Sequence, residues 1–457
     1  MELRSYQRSG AAFLLDVRRA ILADEMGVGK TPQLIRAARG DTLVVAPPGL
    51  HANWSREIAS WATGDALFQV TSYHSLTDPK IKTGGRTPHV LGVPRKQFKG
   101  PWDTVIFDEA HHLKGRNTGY AKAGVTISAA SERVYLATGT PIRNWAHEVF
   151  MLCRALYPKD ERFSSFWRWV DRWFTVTEEV TYFNRKRQKH QVIGDLRDIT
   201  DWETFYRRNG LTERMIRRTL EDPEVDIELP DLDIIKVYTS MGPTQRKAYR
   251  SMEKQFFVAA EGSKFIATTT GSQWSHLMRL SSGLLFHPDI LSGPSSKLDA
   301  LEDLLEDLGD EQLIIFCWFR ETVEALANWL AHKTGAGTFY CHGGMSQTLQ
   351  DGQRRGFADK KAPFLVGTYG VLSEGHNFVG CRKMVLFEHP AVPALEDQAV
   401  KRIHRFGQTE KCTVWSLVTD DTVDSYYVDK VLPNKRAHAS GMDAVITQAD
   451  LRKYLGR

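Results

Sequence analysis

Ile21-Leu22-Ala23-Asp24-Glu25-Met26-Gly27-Val28-Gly29-Lys30-Thr31 is the stretch on which the fold turns. A short apolar run passes through a glycine-rich turn into a helix. Gly27 and Gly29 let backbone N–H groups approach oxyanions, and the start of the following helix adds a favourable dipole. In such a phosphate cradle Lys30 would sit on the β- and γ-phosphates, and Thr31 would offer its hydroxyl to Mg²⁺. Asp24 stands where the full GxxxxGK[ST] pattern has its first glycine, so this stretch alone also fits a glycine-rich helix entry. The apolar run Thr104-Val105-Ile106-Phe107 leads into Asp108-Glu109-Ala110-His111. A strand delivering two adjacent carboxylates suits metal-dependent phosphoryl transfer: Asp108 can hold Mg²⁺, and Glu109 can orient and deprotonate the attacking water. A lone acidic pair would read as a solvated turn. Downstream of a phosphate loop, with a strand between them, it reads as the second half of a nucleotide site.

Around these segments, apolar β-branched runs alternate with helical stretches. They are 42–46, 68–73, 104–107 and 134–137 in the first third, and 313–318, 364–367, 384–387 and 414–418 in the last. Runs of this kind are strands buried on both faces, and their alternation with helices predicts parallel sheets. The chain reads as two α/β blocks, 1–156 and 294–430. Between them 157–293 is aromatic, charged and mostly helical in pattern, and 431–457 is a polar, helical tail. Within the middle segment Thr181–Val192, with Arg185-Lys186-Arg187 and Lys189, reads as a protruding hairpin or loop. The aromatics Trp167, Trp169, Trp173 and Phe174 read as core of this segment, with base stacking as the rival.

With 457 residues, about two to four domains are expected. Apolar content of 42% with 25% charged residues excludes a disordered or fibrous chain. No stretch approaches the roughly 18 uninterrupted apolar residues of a membrane span, and Met1–Gly10 lacks the apolar block of a signal peptide. A cytoplasmic, nucleoid-associated protein is expected. Five scattered cysteines suggest neither a disulfide framework nor a CxxC metal site. The net charge of +5 is compatible with a polyanion partner and too small to establish one. Near the C-terminus Leu395–Arg405 reads as a helix with Gln398, Arg402 and Arg405 on one face. There two arginines could neutralise charge on a γ-phosphate held by the other block.

These motifs, in this order, resemble helicase superfamily two, and within it the SWI/SNF-type DNA translocases, in a compact form similar to the annealing helicases. The resemblance covers roughly 3–150 and 215–424. It rests on Leu3-Arg4-Ser5-Tyr6-Gln7, Asp24–Thr31, Val44-Val45-Ala46-Pro47-Pro48 with Asn53-Trp54, and Thr71-Ser72-Tyr73. It continues with the DEAH box Asp108–His111, then Ala137-Thr138-Gly139-Thr140-Pro141-Ile142, and Ile216-Arg217-Arg218-Thr219. The last motifs are Ile314-Ile315-Phe316, Gly367–Phe378 and the RxHRxGQ run Arg402–Gln408. Gly367–Phe378 is about one residue longer than usual, with His376 where an apolar residue is common.

The resemblance implies two RecA-like lobes that close on ATP and Mg²⁺. Gln7 would read adenine with Tyr6 packed nearby. Gly27, Gly29, Lys30, Thr31 and Gly375 would bind nucleotide. Lys30, Asp108, Glu109, Gln398, Arg402 and Arg405 would be catalytic, with Thr31 and Asp108 on the metal. His111, Thr138 and Thr140 would couple hydrolysis to movement. It also implies a duplex tracked by its phosphates, with Pro47, Ser72, Tyr73, Lys114, Arg116, Arg185, Lys186 and Gly343 as candidate contacts. An ATP-dependent double-stranded DNA translocase acting as a monomer is the leading expectation, with single-stranded or branched DNA as further substrates. A strand-unwinding DNA or RNA helicase and an ATP-gated DNA-binding scaffold are the alternatives.

Overall fold

The computed structural model describes residues 2–77, 94–139, 146–183, 186–196, 202–255, 257–260, 263–266, 270–283, 295–373, 378–390 and 392–433. The chain divides into two compact units, Met1–Asp226 and Ile227–Arg457.

In the first unit the strands are β1 (Arg19–Leu22), β2 (Asp41–Val45), β3 (Leu67–Thr71), β4 (Thr104–Asp108) and β5 (Arg133–Ala137), then β6 (Phe174–Phe183), β7 (Lys186–Leu196) and β8 (Met215–Ile216). Six of them form one sheet in the order β3-β2-β4-β5-β1-β8, parallel throughout. Successive residues point to opposite faces. Val105 and Phe107 therefore enter one apolar cluster with Ile21, Leu43 and Leu136, while Ile106 enters another with Leu22, Val44 and Tyr135. Helices α1 (Ser5–Val17), α2 (Lys30–Ala37), α3 (His51–Trp61), α4 (Gly119–Ala130) and α5 (Val149–Leu156) connect and cover these strands. Helices α6 (Phe166–Trp173) and α7 (Trp202–Arg208) carry Trp169, Trp173 and Phe205 into the same cluster as Phe107 and Leu136. Trp169, Trp173 and Phe174 are core, as expected, but of the cluster beneath the first sheet rather than of a separate segment, and Trp167 is half-buried against it.

The second unit repeats the plan. Its strands are β9 (Leu232–Thr239), β10 (Phe257–Ala260), β11 (Ser263–Ile266), β12 (Leu313–Cys317), β13 (Thr338–Cys341), β14 (Phe364–Thr368), β15 (Lys383–Leu386) and β16 (Cys412–Thr419). The sheet order is β13-β14-β12-β15-β16-β9, again parallel. Its helices are α8 (Pro243–Gln255), α9 (Thr270–Ser281), α10 (Ser296–Leu308), α11 (Arg320–Thr334), α12 (Gln347–Ala358), α13 (Tyr369–Leu372) and α14 (Pro393–Val400). Two parallel α/β sheets are thus what the apolar runs announce.

The middle third differs from its mostly helical reading at two antiparallel ribbons, β6–β7 and β10–β11. Phe174–Phe183 alternates threonine and valine with charged and aromatic residues, a pattern that suits a ribbon better than a helix. The expected hairpin over Thr181–Val192 is the distal part of β6–β7. Among the described residues no helix is long and apolar enough to cross a membrane. All five cysteines are buried free thiols.

Candidate nucleotide site

The site grows from the carboxyl ends of β1, β4 and β5. After β1 the chain turns through 24–29 into α2. Gly27 and Gly29 have φ of +95° and +83°, left-handed conformations in which a Cβ would be strained. A Cβ on Gly29 would also lie 2.4 Å from Gln7 Nε2. Gln7 is held there by its place in α1. Its Oε1 accepts from the Arg4 N–H at 3.0 Å, and its Nε2 lies 3.4 Å from the Val28 and Gly29 carbonyl oxygens. Tyr6 donates its hydroxyl to the Val28 carbonyl at 2.8 Å. The first turn of α1 is therefore seated on the far half of the glycine loop. Lys30 opens α2 and folds its ammonium back onto the Asp24 and Glu25 carbonyls at 2.9 and 3.2 Å. Thr31 follows it on α2.

The acidic segment leaves β4 at Asp108. Asp108 Oδ2 accepts the indole N–H of fully buried Trp54 at 2.7 Å, and Oδ1 accepts the Glu109 N–H at 3.0 Å. Tyr73 donates its hydroxyl to the Asp108 carbonyl at 2.8 Å. Glu109 has φ +49°, rare for a residue with a side chain and commonest at functional turns. Its carboxylate lies 3.2 Å from His111 Nδ1, which is 3.4 Å from the Thr138 hydroxyl beyond the end of β5. Gly139 next to it approaches the loop so closely that a Cβ would meet Met26 at 3.2 Å. The local geometry thus gathers Tyr6, Gln7, Gly27, Gly29, Lys30, Thr31, Asp108, Glu109, His111 and Thr138 at one end of the first sheet. Thr140 lies outside the described residues.

Burial first, then the Glu109 carboxylate, pushes the Asp108 carboxyl up to about 6, against the Trp54 hydrogen bond and the Lys30 charge that lower it. Crowded, desolvated carboxylates opposite a lysine are what a divalent cation would relieve, so these residues fit Mg²⁺ with Asp108 and Thr31 as its holders. Among the described residues no group of three or more His, Cys, Asp or Glu gathers into a metal site, so such an ion would take further oxygens from phosphate and water. In the nucleotide-free protein, kcat/KM for ATP is expected to fall as pH drops through about 6 and Asp108 takes up a proton. Trp54→Phe removes a bond that favours the charged form, and a pH–rate profile should show the fall moved to higher pH. For stability the sign is opposite. The folded pKa exceeds the ordinary value of 3.8, so this group's contribution is full below that value and is lost as pH rises through about 6.

In the second unit the expected helix Leu395–Arg405 ends at Val400. Residues 401–407 continue as irregular turns, in which the Arg402 N–H donates to the Ala399 carbonyl at 2.9 Å, the Phe378 N–H donates to the Arg402 carbonyl at 3.0 Å, and His404 Nε2 lies 2.7 Å from the Pro230 carbonyl oxygen. Gln398, Arg402 and Arg405 therefore do not share a helical face. Gln398 is buried, Arg402 is buried with its guanidinium on the Ser373 carbonyl, and Arg405 is half-buried. Gly375 lies outside the described residues.

The candidate nucleic-acid contacts are scattered. Pro47 is buried before a short turn, and Ser72 caps another by accepting from the Ser75 N–H at 3.2 Å. Tyr73, expected as a DNA contact, is 3% exposed, and its ring belongs to the core. Lys114 pairs with Glu148 at 3.1 Å, and Arg116 lies 4.1 Å from the Phe166 ring centroid. Gly343 sits in an open turn after β13. Arg185 lies outside the described residues, and Lys186 opens β7.

Trp54 and Arg218 both stand in quoted motifs, but nothing in the sequence joins Trp54 to Asp108 or Arg218 to Asp24. Arg218 grips Asp24, the residue that departs from the glycine pattern, with Nε–Oδ1 and Nη2–Oδ2 distances of 3.0 and 2.7 Å. The one available signal was that an unpaired carboxylate in an anion cradle needs a cation from somewhere.

Comparison with known proteins follows the same residues. The SNF2-related domain family matches 6–286, and the helicase conserved C-terminal domain family matches 296–407. The DNA excision repair protein ERCC-6-like of Danio rerio is 25% identical over 93% of this chain and 35% of its own length. The ISWI chromatin-remodeling complex ATPase ISW1 of Saccharomyces cerevisiae is 26% identical over 95% of this chain and 40% of its own length. Chromodomain-helicase-DNA-binding protein 9 of Mus musculus is 26% identical over 94% of this chain and 16% of its own length. The chain thus spans between about a sixth and two fifths of these relatives. Among solved structures, the Sulfolobus solfataricus SWI2/SNF2 ATPase core in complex with dsDNA aligns with a TM-score of 0.40 and 21% identity, over 99% of this chain and 97% of that one. With the SNF2-related match covering more than half of its residues and the helicase C-terminal match following in order, the chain belongs to the SNF2 family of ATP-hydrolysing enzymes.

Proposed function

We propose that this chain is a motor that couples ATP hydrolysis to translocation on double-stranded DNA, and so remodels protein–DNA complexes or anneals and regresses DNA. The observation that carries the ATPase half is the line Lys30, Asp108, Glu109, His111 and Thr138 along the carboxyl ends of adjacent strands. Open parallel sheets bind ligands at that edge. When a triphosphate enters, Lys30 exchanges the loop carbonyls for phosphate oxygens, and the glycine-loop N–H groups take the rest. Mg²⁺ held by Asp108 and Thr31 would neutralise charge on the β- and γ-phosphates. Glu109 positions and deprotonates the attacking water. His111, between Glu109 and Thr138, fixes the carboxylate and links its state to the segment after β5. Arg402 and Arg405 are assigned by the family resemblance to the developing phosphate charge, with Gln398 sensing the γ-phosphate. For Arg402 this means leaving the Ser373 carbonyl.

The DNA half is supported by the resemblance, by the names of the relatives and by the basic balance of the chain. Contacts mainly to phosphate make binding insensitive to sequence and sensitive to salt. Steady-state ATP hydrolysis with no polymer, duplex DNA, single-stranded DNA or RNA, at fixed low salt, tests it. Strong stimulation by duplex, fading as salt rises, is expected. Stimulation confined to single strands or RNA would replace the duplex reading with an unwinding enzyme.

A further inference from the structure

Asp24 places a carboxylate in a loop built to receive phosphates. It is fully buried, and Arg218, 2% exposed, covers it with a two-pronged ion pair. The Arg218 N–H adds a third bond to Oδ1 at 3.1 Å. Gln33, on α2, completes the group. Its Nε2 donates to Asp24 Oδ2 at 2.9 Å and to the Gly29 carbonyl at 3.0 Å, and its Oε1 accepts from Arg218 Nη2 at 2.7 Å. Arg218 Nη1 donates to the Tyr6 carbonyl on α1, and the guanidinium carbon lies 5.3 Å from the Tyr6 ring centroid. The strand-like pairing of β1 with β8 runs on past both strands: the Ala23 N–H donates to the Ile216 carbonyl at 2.8 Å and the Glu25 N–H to the Arg218 carbonyl at 2.7 Å. The packing leaves no slack, since a Cβ on Gly10 would fall 1.9 Å from Gln33 Oε1 and 2.5 Å from Arg218 Nη2.

We propose that Arg218 is a positioning residue of the nucleotide site: one guanidinium ties the Tyr6–Gln7 turn to the phosphate loop at Asp24 and Gln33, and thereby sets the spacing between the adenine-facing and phosphate-facing halves. The same contact cancels the Asp24 charge that would otherwise repel a triphosphate. A planar fork with five donors serves four oxygens at once, on Asp24, Gln33 and Tyr6, more than the three donors of a lysine can reach. The inference rests on the reading of 24–31 and Gln7 as the nucleotide site.

Arg218→Lys keeps the charge and loses the fork. The double variant Asp24→Asn with Arg218→Met removes both charges and leaves no buried ion unpaired, so it carries the test if the lysine variant does not fold. Each is measured on the full chain for thermal unfolding, for kcat and KM with ATP and GTP, and for binding of a fluorescent ATP analogue. The expected result is a KM for ATP raised roughly tenfold, with kcat nearly unchanged and the preference for ATP over GTP reduced. A lowered unfolding temperature with wild-type KM and wild-type ATP preference would overturn the proposal and leave Arg218 a purely structural residue. Lys30→Ala serves as the control. If it binds the analogue as the wild type does, the nucleotide reading of the loop fails instead.

Discussion

Glu109→Gln should retain ATP binding while kcat falls by roughly 10²–10⁴-fold, the range by which a positioned general base contributes. Glu109 sits directly after the residue that would hold the metal, in a left-handed turn. Its carboxylate is 3.2 Å from His111 and beside Asp108, whose own carboxyl it helps push up. The amide keeps the shape of the side chain but cannot accept a proton from water. It also removes a negative charge beside bound triphosphate, so affinity should be equal or tighter. A fluorescent ATP titration and single-turnover phosphate release separate the two effects. Unchanged turnover in Glu109→Gln would remove the residue from its assigned role.

Lys297→Met should destabilise the protein by about 3–5 kcal/mol, the usual cost of leaving one partner of a buried pair uncompensated. Lys297, near the start of α10, is 0% exposed, and Asp424 is 1% exposed. Its ammonium lies 2.7 Å from Asp424 Oδ2 and donates to the Phe387 carbonyl at 2.8 Å. The same Asp424 oxygen accepts the Thr419 N–H at 2.9 Å. The lysine thus pins α10 to the carboxyl ends of β15 and β16. Against a typical total of about 5–15 kcal/mol, the loss is large. Urea unfolding of the full chain checks it, and adding Asp424→Asn should restore part of the deficit by removing the orphaned charge. A variant as stable as wild type would show that the pair contributes nothing net.

The parallel strands were legible because strands covered on both faces are nearly continuous apolar runs, as at Leu43–Ala46 and Leu313–Cys317. β9 was not, because Asp233 and Lys236 interrupt the apolar run of this edge strand, whose Ile234, Ile235 and Tyr238 are exposed. The ribbon β6–β7 was only partly legible, since basic residues masked its alternation. Lys30, Asp108 and Glu109 were legible because phosphate chemistry demands them at fixed places beside a strand. Trp54 and Arg218 were not, because each reaches its partner across the fold with no sequence period linking them. The C-terminal helix is shorter than its periodicity suggests, because periodicity carries no information about the contacts that Arg402 and His404 make across the fold just beyond its end.

Phosphate release by the wild type and by Lys30→Ala, each with and without duplex DNA, decides whether the 24–31 loop serves a DNA-stimulated ATPase. Hydrolysis stimulated by duplex in the wild type and abolished in a folded Lys30→Ala protein is the predicted result. Hydrolysis that survives Lys30→Ala would contradict the assignment of the 24–31 loop as the phosphate site.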